Sequence, residues 1–110
     1  MAYDEILGDR IRARLDTTVG VIEKRMFGGL AFLIGGNLAV AASGRGGLMV
    51  RVPREETEIL LTEPGAEPFE MRGKELAGWL RVDADAIDDE KSLARWVDIG
   101  AAYAGSLPPK

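Results

Sequence analysis

Arg25 and Arg51 are the residues whose type and placement most invite chemistry, because each lies inside an apolar run rather than at a loop tip. A guanidinium there is costly to bury without a partner. Met49 and Arg51 alternate onto one face of a strand over Leu48 to Val52. If the small side chains of Ala39 and Ala41 share that face, a shallow concavity edged by an arginine results. Such a site would suit a carboxylate or phosphate group. The competing role for either arginine is a structural ion pair with Glu23, Glu70 or Glu75.

Catalysis has little to work with. The chain contains no histidine and no cysteine, which removes Ser-His-Asp and Cys-His pairs, thiol chemistry, disulfides and sulfur-based zinc sites. An acid and base drawn from Glu23, Glu70 and Glu75 is the enzymatic arrangement left, and their spacing marks no pair. The reading is therefore non-enzymatic, with no catalytic residue, no metal ligand and no cofactor assigned. Asp83, Asp85, Asp88, Asp89 and Glu90 set carboxylates close together. They lack the glycine and bidentate glutamate of a calcium loop, and helix capping accounts for the last three. Gly44-Arg45-Gly46-Gly47 could offer backbone N–H groups to an anion. No helix, lysine or hydroxyl follows it as in a nucleotide loop, so it reads as a hairpin turn. Trp79 and Trp96 are the interface candidates, since tryptophan anchors many interfaces, although both fall in apolar patterns that equally fit a core.

The elements that must position these residues are legible from periodicity. Tyr3, Ile6, Leu7, Ile11 and Leu15 recur at helical spacing and predict a first helix over residues 2 to 16. Val21 to Phe27 begins a strand region. Leu30 to Ile34, Leu38 to Ala42 and Leu48 to Val52 are short apolar runs cut by glycine-rich junctions, the pattern of antiparallel hairpins. A three-residue loop at Gly35-Gly36-Asn37 would put Leu30, Phe32, Ile34, Leu38 and Val40 on one face, with Ala31, Leu33, Ala39 and Ala41 opposite. A slip of one residue would reverse the assignment. Pro53 opens a short second helix, Pro68 to Met71 and Leu76 to Val82 are two further strands, and Asp88-Asp89-Glu90 opens a last helix. In that helix Leu93, Trp96, Val97, Gly100, Ala101 and Ala104 form one apolar stripe. The expected fold is α+β: an antiparallel sheet of about six strands packed by about three helices, in the order α-β-β-β-β-α-β-β-α, as one domain over residues 1–110.

Composition and charge bound the partners. Apolar residues make up 46% of the chain and charged ones 29%, ordinary for a globular domain. No apolar run approaches the roughly 18 to 20 residues a membrane helix needs, and the first residues are too charged for a signal peptide. A cytoplasmic protein without membrane contact is expected. The net charge of −4 disfavours direct nucleic-acid binding, which requires several neutralised phosphates.

Several landmarks then coincide in order: Arg25-Met26-Phe27-Gly28-Gly29-Leu30, Leu48-Met49-Val50-Arg51-Val52, the stretch from Pro64 to Phe69, Gly78-Trp79, and a closing helix with Trp96 before Leu107-Pro108. Together they resemble the N-terminal domain of the TfoX/Sxy family, bacterial proteins linked to the regulation of natural competence. The resemblance runs from about Arg25 to Pro109. It implies a small α/β domain, compatible with a dimer, standing alone without the family's helical second domain. It supplies no catalytic residues. The function expected is a regulatory or protein-interaction module that recognises a protein partner or a second copy. The alternative is a small anionic-ligand binder using Arg25 and Arg51.

Overall fold

A computed structural model of the chain describes residues 3–26 and 28–110. Ala2, at the start of the expected first helix, and Phe27, in the expected first strand, lie outside the described residues. Helix α1 spans Glu5–Arg14. The Asp4 carboxylate starts it, accepting the backbone N–H of Ile6 at 2.9 Å and of Leu7 at 3.2 Å, donors that a first turn otherwise leaves unpaired. Leu7, Ile11 and Leu15 point into the core, whereas Ile6, expected on the same stripe, is exposed.

Four strands follow as a meander: β1 Val21–Met26, β2 Gly29–Ile34, β3 Asn37–Ala42 and β4 Leu48–Arg51. A 3-10 turn over Arg54–Glu56 leads into the one-turn helix α2, Thr57–Leu60, and then into β5 Ala66–Met71 and β6 Lys74–Val82. Helix α3, Glu90–Ser106, closes the domain. All six strands form one antiparallel sheet in the order β1-β2-β3-β4-β6-β5, so β6 inserts between β4 and the edge strand β5. The α+β fold and the element order are those the sequence predicts. Among the described residues no helix is long and apolar enough to cross a membrane.

The β2–β3 register departs from expectation. Gly35 and Gly36 both take positive φ, 60° and 84°, and make a two-residue turn whose twist suits a hairpin. Ile34 therefore pairs with Asn37 and Leu33 with Leu38. A bulge then restores Phe32 opposite Val40. As a result Leu38 joins Ala31 and Ala41 on one face, while Ala39 turns to the other and packs with Ile34 and Ala104.

Helices α1 and α3 cover one face of the sheet. Phe32, Val40, Leu48, Val50, Leu80 and Val82 from the strands are buried with Ile11, Leu93, Trp96 and Val97 from the helices. Thr57 ties the crossover to the sheet: its hydroxyl donates to the Arg54 carbonyl at 2.9 Å and accepts the Gly78 N–H at 2.8 Å. At the surface, Arg12 of α1 donates twice to the Glu23 carboxylate of β1, at 2.5 and 2.7 Å. Asp89 caps α3 by accepting the Ser92 N–H at 2.9 Å.

Those last two carboxyls give the fold an acid sensitivity. The Arg12 hydrogen bonds hold the Glu23 carboxyl below its ordinary range, and the Ser92 N–H does the same for Asp89. A group with a lowered native pKa stabilises the fold above its unfolded value, and that contribution is lost as pH falls through the native one. The thermal midpoint should therefore drop on acidification from about pH 4 downward. The double variant E23Q/D89N should show a shallower drop in a pH series of melts; an unchanged slope would mean other groups carry it.

Candidate functional site

The sheet face away from the main core is where the structure becomes unusual. Ala31, Leu38, Ala41 and Met49 are buried there, yet the partly buried residues packed on them are Met26, Leu33, Phe69 and Trp79, all from strands. Met26 belongs to one edge strand and Phe69 to the other. The sheet is thus curled enough for its two edges to contribute to one apolar cluster, which is the expected consequence of accumulated strand twist and two bulges.

A cavity of about 540 Å³ opens on this concave face. Its floor is Ala41 and Met49, which are cross-strand partners, and its walls include Met26 and Phe69. Three arginines from three different places surround it: Arg45 from the β3–β4 turn, Arg72 from the β5–β6 turn and Arg81 from β6. Glu67 and Glu70 of β5 stand on the same rim. The volume and the apolar floor with a few polar groups are those of a small-molecule site.

Local sequence explains each position. Ser43 organises the β3–β4 turn, its hydroxyl accepting the Arg45 N–H at 3.1 Å and its carbonyl the Gly46 N–H at 3.0 Å. The glycine segment is accordingly a hairpin turn, and Arg45 is held at its tip. Arg72 is the one described non-glycine residue with positive φ, 56°, and Gly73 follows at 80°. This tight turn leaves Arg72 exposed. Arg81 pairs in register with Met49 and Glu67, so all three share the open face. Its Nη2 donates to the Gly46 carbonyl at 3.0 Å. Its Nε is buried without a partner, and no described carboxylate makes an ion pair with it, Glu67 included.

The residues singled out from sequence are dispersed by the fold. Met49 lies on the cavity floor, with Ala41 beside it as expected but without Ala39, which the bulge turns away. Arg51 pairs in register with Trp79 and lies outside the cavity. Its guanidinium stands 5.1 Å from the Trp79 ring centroid and 5.6 Å from that of Tyr103, a cation–π arrangement in place of the expected ion pair. Arg25 pairs with Leu30, a core residue of the helix-covered face. Arg25 on β1 and Arg51 on β4 are separated by two strands, and Arg51 is engaged by Trp79 and Tyr103, so the two do not form one anion site. Neither has an ion-pair partner among the described residues, and Glu23 is engaged by Arg12.

Trp79 is half-buried on the open face, its ring centroid 6.1 Å from that of Phe69. Trp96 is 3% exposed and fills the main core, so it offers no surface to a partner. In the acidic stretch, Glu90 and the main-chain carbonyl of Asp88 both receive Arg10. Among the described residues no three metal-ligating side chains converge. Sequence reading weighed the Arg45 turn for an anion and set it aside as a hairpin, and it missed Arg72 and Arg81. Arg81 was reachable, since it lies two positions after Trp79 in an alternating strand. That the Arg45 and Arg72 turns meet at one cavity was not, because only the curl of the sheet brings them together.

Fold and site together define a two-layer α+β domain whose sheet is covered by helices on one face and curls around an arginine-rimmed cavity on the other. The chain belongs to the TfoX N-terminal domain family, whose model matches residues 13–104 and so includes every cavity residue. No curated protein and no solved structure matches the chain.

Proposed function

We propose that this domain is a non-enzymatic regulatory module of the cytoplasm, working by association with a protein partner or a second copy across its open sheet face. The observation that supports this reading is the face itself. Leu33, Phe69 and Trp79 remain half-buried on a sheet surface where the apolar cluster has no helical member among the described residues, and contiguous apolar surface of that kind is characteristic of interaction sites. The resemblance to competence regulators points the same way. Native mass spectrometry on protein purified gently from its own host tests it, with Leu33→Glu on the open face compared with Ile59→Glu on exposed α2. The expected result is a dimer or a defined protein complex that Leu33→Glu dissolves and Ile59→Glu preserves. A monomer throughout, or equal behaviour of the two variants, would sink the idea.

A second reading is favoured by the cavity: a small-anion binder in which the cation is Arg81, flanked by Arg45 and Arg72, rather than Arg25 and Arg51. A partly buried arginine with unused donors and no carboxylate partner among the described residues is a ready anion receptor.

A further inference from the structure

We propose that the cavity on the open sheet face binds a small amphiphilic monocarboxylate, its head on the Arg81 guanidinium and its apolar body along Ala41 and Met49 between Met26 and Phe69. This rests on the anion-binding reading above and adds the chemical class of the ligand.

Three observations lead to that class. First, the floor and walls are apolar. Ala41 and Met49 are almost fully buried and Met26 and Phe69 partly so, which gives an apolar body hydrocarbon to rest against while the charged side chains stand around it. Two methionines allow the walls to adapt to an irregular body, because an unbranched thioether repacks readily. Second, Arg81 carries more donors than it uses. Among the described residues it makes one hydrogen bond, from Nη2 to the Gly46 carbonyl, and its Nε is buried with no acceptor. A planar guanidinium fork matches a carboxylate with two parallel hydrogen bonds, so a single carboxylate would engage the Nη donors that the protein leaves unused. Third, Glu67 and Glu70 share the rim. Their two charges offset those of Arg45 and Arg72, so the rim with Arg81 keeps one net positive charge, which matches a singly charged carboxylate head better than a phosphate dianion. The volume, about 540 Å³, accommodates a medium-length chain or a fused aromatic acid.

The test uses decanoate, decanol and acetate as probes: head with body, body alone and head alone. Methionine methyl groups labelled with carbon-13 report on the floor and wall, and the Arg81 Nε–H resonance reports on the head. Decanoate should shift the Met26 and Met49 methyls saturably and bind at least tenfold more tightly than either decanol or acetate. Arg81→Gln should weaken decanoate at least tenfold, whereas Arg25→Gln, outside the cavity, should leave it unchanged. Decanol binding as tightly as decanoate overturns the proposal, and this comparison leaves the protein untouched should Arg81→Gln fail to fold. Decanoate binding no more tightly than acetate, with both shifting the Arg81 Nε–H, also overturns it while sparing the anion-binding reading. No perturbation by either acid removes both.

Discussion

Gly100→Val is expected to cost about 3 kcal/mol or more, a large fraction of the 5–15 kcal/mol typical of a domain. The reason is the crossing of α3 over β3. A Cβ at position 100 would lie 2.4 Å from the Ala39 carbonyl oxygen and 2.8 Å from Val40 Cγ1. The first neighbour is backbone at the bulge, and the second belongs to a fully buried core residue. Neither can yield without moving the strand. Gly100→Ala makes the sharper comparison. In a free helix that change gains roughly 1 kcal/mol from propensity alone, so a net loss isolates the cost of the clash. Urea denaturation of both variants gives the answer. An alanine variant as stable as the parent would show that α3 can lift from the sheet at little cost.

Phe32→Ala is expected to destabilise by about 3–5 kcal/mol. Phe32 is fully buried, lies on β2 directly opposite Val40, and belongs to the cluster that joins the sheet to α1 and α3. Truncation removes most of a phenyl ring from the centre of that cluster, where the bulged β3 and the helices leave neighbours little room to collapse. Ile59→Ala is the matched control, since Ile59 is 69% exposed on α2 and should stay within about 0.5 kcal/mol of the parent. A Phe32→Ala midpoint in urea close to that of Ile59→Ala would mean that this cluster does not hold the layers together.

How much of this was readable in the amino acids differs from element to element. The last helix was plain because Leu93, Trp96, Val97, Gly100 and Ala104 repeat at three and four residues, and all five are buried. The four-strand meander was plain because glycine marks every junction. The register across Gly35-Gly36 was not, because two- and three-residue turns both satisfy that composition, and a bulge at Ala39 can undo half of the shift. That one extra residue moved Leu38 onto the open face and Ala39 off it. The site was half visible. Met49 and Ala41 follow from alternation along paired strands, but two of the three arginines beside them, Arg45 and Arg72, come from turns that meet only because the sheet curls. Arg51 illustrates the limit on the other side: it sits in the predicted strand, and the aromatic rings of Trp79 and Tyr103 supply the partner that no spacing rule would name.

The insertion of β6 between β4 and β5 has a consequence for the time course of folding. The pairings of β1 through β4 close short loops and can form early, whereas β4 meets β6 only after the chain has passed through the 3-10 turn, α2 and β5. Closing that seam costs more chain entropy and sets the slower step. Met49 lies on one side of the seam and Arg81 on the other. The arginine-rimmed cavity therefore does not exist until the final pairing is made, and it vanishes whenever the β5–β6 hairpin detaches. A bound acid would act as a latch across that seam, slowing amide exchange in β6 more than anywhere in the early meander.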